Sequence, residues 1–254
     1  MTSENQDIAV ALDADGVAQL TFCRPPSNYF DAALLEGIAD ALTTLVQGGV
    51  ARSVVLQSDG PHFCAGARLG PAERPNPGVL YDRAVRIFTA PIPIVAVVQG
   101  AAIGGGLGLA LAADFRVGSP ESRLSANFAR LGFHHGFGLT ATLPAIAGQQ
   151  HALELLLTGR RIAGDEARTI GLLDQLVPPE KCREAGYALA REIARSAPLA
   201  VAAIRSTMRQ RLVEDFRRAV LHEAEQQDLL YLTGDFAEGV AAMRERRPPR
   251  FTGR

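Results

Sequence analysis

Apolar positions along the chain follow two regimes, and the change comes part-way. Over the first two-thirds, short β-branched runs alternate with helical spacings. Residues 8–12 and 17–23 are β-rich and flank the turn dipeptide Asp15-Gly16, which predicts a hairpin. Leu34, Leu35, Ile38, Leu42, Leu45 and Val46 share one helical face over 31–46, with Asp31 placed to cap the helix. A buried strand is expected at 53–57, then a glycine-rich loop at 58–70. Proline and glycine crowd 70–78, which predicts a mobile loop ahead of a helix at 79–89. The stretch 92–113 carries no charge over 22 residues, long enough to cross a bilayer. Its five glycines, Gln99 and Pro93 instead favour a buried strand, a glycine-rich turn and a small-residue helix. Short strands are expected at 115–117 and 123–125.

From about Gly138 the pattern becomes helix after helix: 149–158, 165–170, 180–195, 199–211, 213–232 and 235–247, with one brief strand at 174–177. Pro248-Pro249 ends the last. The chain therefore reads as an α/β core over 1–195 and a helical region over 196–254.

Composition narrows the function. The chain has 254 residues, 26 basic and 27 acidic, for a net charge of −1. No basic field for nucleic acid or an anionic membrane surface is expected from that balance. Cys23, Cys64 and Cys182 lack CxxC spacing, so a reducing, cytoplasmic setting fits better than a disulfide framework or a zinc knuckle. Glu4, Asp7, Asp13 and Asp15 with no basic n-region argue against a signal peptide. Lys181 is the sole lysine, which leaves Schiff-base chemistry almost no nucleophile.

Two small-residue loops each follow a buried strand: Phe63-Cys64-Ala65-Gly66-Ala67-Arg68-Leu69, and the run from Gly100 to Gly108. Such loops let a ligand approach the backbone and offer it N–H donors. The second runs into a helix N-terminus, whose free N–H groups add positive potential. Facing one point, the two would stabilise a carbonyl oxygen that becomes negative. A dinucleotide fingerprint fails at Leu109, and neither GxxxxGK[ST] nor GxSxG occurs. His134-His135 are adjacent and lack companion ligands, so no metal site is expected.

Taken in order, these segments resemble the crotonase, or enoyl-CoA hydratase/isomerase, superfamily. The resemblance rests on RPP–N from Arg24 to Asn28, FCAGA-x-L from Phe63 to Leu69, and QG-A-x-x-GGG-x-x-LALAAD from Gln99 to Asp114. GRRIAGDEARTIGLLDQLVP from Gly159 and the ending DFAEGVAAMRERRPPRF from Asp235 extend it. It implies stacked ββα units with a C-terminal helical trimerisation region, and a homotrimer or dimer of trimers. It also implies an acyl-CoA thioester substrate, with no metal or redox cofactor. By position, the oxyanion-hole amides fall on Ala67 and Gly105, beside Gly104. Ala65, Arg68 and Leu69 match the segment along the CoA adenine; Arg24, Pro26 and Ser27 match the early loop on the pantetheine and phosphates. Met243 and Arg246 match positions that reach the CoA of a neighbouring subunit.

Departures from that pattern are informative. The two glutamates of the hydratases fall on Gly108 and Phe128, and the acidic position of some isomerases falls on Gly136. Ordinary hydration is therefore expected to be impaired, since general acid–base groups supply about 10²–10⁴-fold. His134 or His135 is a candidate replacement base, against a role in bonding loop backbone. Tyr81 and Asp82 sit on the helix expected to cap the acyl pocket; Glu121 is expected to face solvent and Cys64 to fill a loop. Three readings stay open: a divergent acyl-CoA enzyme, a histidine-assisted CoA-ester hydrolase or C–C lyase, and a non-catalytic acyl-CoA-binding subunit.

Overall fold

The computed structural model describes residues 7–69 and 75–254. The predicted hairpin forms, with β1 (Ile8–Leu12) antiparallel to β2 (Val17–Phe22) and Leu12 opposite Ala18. At its turn the Asp13 carboxylate accepts the N–H groups of Asp15 and Val17. Helix α1 (Ala32–Gln47) follows, and Asp31 caps it by accepting the Leu34 N–H at 2.9 Å. Strand β3 (Ser53–Ser58) is buried at every position, as a central parallel strand must be. Helix α2 (Pro77–Thr89) leads to β4 (Ile94–Val98), parallel to β3. Strand β5 (Ala101–Ile103), helix α3 (Gly105–Ala112), and strands β6 (Phe115–Gly118) and β7 (Arg123–Ser125) come next.

The second half supplies α4 (Leu139–Ala147), α5 (Gln149–Thr158), β8 (Ile162–Ala163), α6 (Gly164–Thr169) and β9 (Gln175–Leu176). Helices α7 (Cys182–Ala194), α8 (Pro198–Leu230) and α9 (Gly234–Glu245) complete the chain. One sheet runs β1-β2-β3-β4-β6-β9, and a second runs β5-β7-β8. Alternation along the large sheet divides its side chains between two layers. Val17, Val55, Val95, Val97 and Val117 meet α7, whereas Leu20, Phe22, Leu56, Ala96 and Val98 join the main core.

The uncharged stretch 92–113 is β4, β5 and α3, and no helix among the described residues is long and apolar enough to cross a membrane. The two helices expected at 199–211 and 213–232 are one 33-residue helix, α8, because no proline or glycine interrupts it. Helix α4 escaped the periodicity because Pro144 lies inside it and its apolar positions form no clean stripe. Of the loop expected at 70–78, residues 70–74 lie outside the described residues, and Pro77 and Gly78 already belong to α2.

Helix α8 is pinned to the core at two levels. Phe216 stacks on Phe88 at 4.0 Å between centroids, the rings within 3° of parallel. Asp114 accepts Arg205 Nε at 2.9 Å, Arg209 Nη1 at 2.8 Å and the backbone N–H of Ile94 at 2.8 Å.

Candidate active site

The two glycine loops lie side by side. Cys64 donates its N–H to the Ala101 carbonyl at 2.9 Å, and Ile103 donates to the Cys64 carbonyl at 3.0 Å. Phe30 donates to the Gly66 carbonyl at 2.9 Å. The approach is close enough to demand glycine. A Cβ on Gly66, whose φ is +89°, would stand 2.8 Å from the Ile103 carbonyl oxygen and 3.5 Å from the Gly105 nitrogen. Gly105 is the first residue of α3, where an N–H has no partner within the helix. Neither its N–H nor that of Ala67 has an acceptor among the described residues. Both residues line one cavity of about 720 Å³, a common size for a small-molecule site.

Rings fill this cavity at the positions where the family pattern places carboxylates. At Gly108 a Cβ would stand 2.5 Å from the Phe137 Cβ and 2.8 Å from its Cγ, so Phe137 holds that space. Phe128 lines the wall, its ring 3.6 Å from where a Gly104 Cβ would be and 5.4 Å from the Phe133 ring. A Cβ at Gly136 would overlap the Tyr81 hydroxyl. Tyr81 itself donates to Gln227 Oε1 at 2.8 Å, and Gln227 Nε2 donates to the His134 carbonyl at 2.8 Å. Burial, with Glu223 nearby, holds the Tyr81 phenol well above its ordinary value, so it stays protonated.

The histidines belong to a neighbouring network rather than to the wall. His134 Nδ1 bonds the His135 carbonyl oxygen at 2.8 Å, and the two rings stack at 4.1 Å. The Thr140 hydroxyl donates to Glu223 Oε1 at 2.7 Å, which leaves its oxygen to accept from His135 Nε2 at 2.8 Å. Burial, reinforced by His134 and His222, lowers His135 to about 3. Burial also lowers His134, though its backbone bond opposes this. Burial raises Glu223 despite the N–H groups of Thr140 and Gly138 that it accepts. Asp82 and Glu121 are exposed. Buried Cys64 is pushed up to about 12, a filler rather than a nucleophile. Among the described wall residues there is no Asp, Glu, His, Cys or Lys.

Residues 13–254 match the family described as enoyl-CoA hydratase/isomerase. The chain belongs to that family. A "probable enoyl-CoA hydratase" of Rhodobacter capsulatus is 34% identical over 251 residues, covering 95% of this chain and 96% of its own. A "putative enoyl-CoA hydratase" of Thermus thermophilus is 36% identical, covering 93% and 98%. The solved enoyl-CoA hydratase/isomerase of Pseudoalteromonas atlantica superposes with a TM-score of 0.88 at 28% identity, covering 97% of this chain and all of that one. The crotonase-type fold expected from the sequence is thus the fold of this enoyl-CoA hydratase/isomerase family member.

Of the positions that the family pattern marks, the cavity gathers Ala65, Ala67, Arg68, Leu69, Gly104, Gly105, Phe128 and Met243. Arg24 lines an adjoining recess, tied to Asp7 at 2.6 Å and Asp31 at 2.7 Å. Pro26 and Ser27 line neither; the Ser27 carbonyl instead accepts the Ala65 N–H at 3.0 Å. Arg246 is off the wall, because it closes α9 in a left-handed turn at φ +55°. Arg244 lines the wall beside Met243. His134 and His135 are off the wall for the reasons given above. Sequence reading missed Phe30, Phe133, Phe137, Gln227 and Tyr231, aromatic and polar residues outside any local motif, and Arg161, which lies in the GRRIAGD segment but carries no assigned role there.

Proposed function

We propose that the Ala67 and Gly105 N–H groups polarise the thioester carbonyl of an acyl-CoA and stabilise its enolate, in chemistry that diverges from hydration. The observation that carries this is a pair of donors, unpartnered among the described residues, that line one cavity from two separate loops. Preorganised N–H groups act where charge develops, and each is worth about 10²–10³-fold. Exposed Arg68, Arg161 and Arg244 give the mouth cations suited to the CoA phosphates. The reading needs no cofactor beyond the CoA thioester and is compatible with a cytoplasmic setting. Leu199, Met208, Leu221 and Leu232 on and after α8 are more than 60% exposed, which supports association into a trimer or dimer of trimers.

The test is exchange of the α-protons of bound butanoyl-CoA with deuterated water. With solvent water taking the α-proton, wild type is expected to exchange, and Ala67→Pro, which deletes one donor, to exchange about 10²–10³-fold more slowly while folded. Equal rates in wild type and Ala67→Pro would remove the oxyanion role. A second reading, an acyl-CoA-binding subunit without turnover, is favoured by the wall's lack of a base among the described residues. Tight ester binding with no exchange in wild type would select it.

A further inference from the structure

The cavity has two chemically different ends. Its cations, Arg68, Arg161 and Arg244, are exposed, whereas Tyr81 and Gln227 are 7% and 3% exposed. Around that inner pair the wall is apolar, with Leu80, Leu131, Phe133 and Phe137. A hydrocarbon acyl chain would be served by leucine and phenylalanine throughout. Instead α2 sends in a hydroxyl and α8 an amide, across 146 residues of sequence, into space left open because residue 136 is glycine. Their mutual bond does not use them up. Gln227 spends one N–H on His134 and accepts one bond, leaving a second N–H and a lone pair; the phenol oxygen, with the Phe137 N–H beside it, keeps one further acceptor site.

The geometry points to the Tyr81–Gln227 pair as the specificity-determining contact for a neutral oxygen, hydroxyl or ketone, carried on the acyl chain away from the thioester. This rests on the acyl-CoA reading above. The charge of the surroundings selects a neutral group. Glu223 lies on the same side, His134 and His135 are held uncharged, and no arginine or lysine is among the buried residues of the described wall. A carboxylate brought there would be buried without a counter-ion, which is costly. A site built from buried polar groups rejects the analogue that cannot bond them, because those groups are then left unpaired.

Calorimetric titration of the full chain tests this with matched CoA esters of four to six carbons: alkanoyl, ω-hydroxyalkanoyl and ω-carboxyalkanoyl. In wild type at least one hydroxyalkanoyl ester is expected to bind about tenfold more tightly than its alkanoyl partner, and the carboxylates more weakly than either. In Tyr81→Phe that preference is expected to fall to within about twofold of unity. The ratio within one protein is the readout, so a merely structural tie between α2 and α8 would shift both esters and leave it unchanged. Should Tyr81→Phe not fold, Gln227→Met provides the same ratio. Absence of any preference in wild type, or its survival in the folded variant, overturns the assignment. Failure of every CoA ester, alkanoyl included, to bind wild type overturns the acyl-CoA reading beneath it.

Discussion

By the family pattern the two hydratase glutamates fall on Gly108 and Phe128 and the isomerase acid on Gly136, and rings hold all three places, each by a different route. Phe137 fills the space beside Gly108, Phe128 replaces the acid outright, and Tyr81 arrives from another helix. Restoring both glutamates is therefore more than a chemical change. Gly108→Glu with Phe128→Glu must displace the Phe137 ring and bury charge against aromatic walls. We expect no gain of crotonyl-CoA hydration and a Tm lowered by about 5–10 °C; a spectrophotometric hydration assay beside a thermal melt checks both. Gly105→Ala is constrained in another way. Its Cβ would stand 2.5 Å from Phe30 Cζ, so the donor is kept but the ring must move. Weaker CoA-ester binding is expected, with the fold retained, because the clash is at the far end of one side chain.

At the scale of elements, what could be read from the sequence tracks how local the cause is. Strands β2, β3 and β4 announce themselves through apolar runs, and α1 through its stripe and its Asp31 cap. Helix α4, with Pro144 inside it, and the two-residue strand β8 carry no such local signature. The same rule divides the site. The loops that hold Ala67 and Gly105 are legible because glycines and small residues at strand ends are local signals; the two positions within them follow from the family resemblance. Gln227 is not legible, since its partner Tyr81 is brought by packing between α2 and α8. The Asp114 junction belongs to this scale too. Asp114 is the one carboxylate on both Arg205 and Arg209, whose other bonds go to the Ala90, Phe88 and Ala112 carbonyls, while Arg205 Nη2 and Arg209 Nε have no hydrogen-bond partner among the described residues. Asp114→Ala would strand two largely buried guanidinium groups. A loss of about 3 kcal/mol is expected in urea unfolding, against little change for Asp215→Ala on the exposed face of α8.

Across the whole molecule, the histidine network sets an acid limit. His135 titrates near 6.5 when unfolded and near 3 when folded, so the unfolded chain takes up its proton first. Its contribution to stability is complete above pH 6.5 and is lost as pH falls through that window, about 2 kcal/mol of it by pH 5. His134, lowered as well, adds in the same direction. Glu223, raised from 4.5, runs oppositely: its contribution is full below 4.5 and shrinks as pH rises through its folded value. We expect wild type to lose stability between pH 7.5 and 5, and His135→Asn to flatten that slope, as measured by urea unfolding at both values.

Helix α9 has a consequence for subunits that work together. Phe236 packs on Phe133 and Tyr231 at 5.2 and 4.7 Å, which sets Met243 and Arg244 over the cavity of their own chain. The tail then locks back: Glu238 pairs with Arg247, and the Asp235 carboxylate accepts the Thr252 and Gly253 N–H groups. The cavity is thus roofed by the same chain that lines it. Mixed assemblies of wild-type and Ala67→Pro chains should titrate in strict proportion to the wild-type fraction. Two different defective chains, one altered at Ala67 and one cut before Met243, should never restore function by being co-expressed, because neither can lend the other its roof.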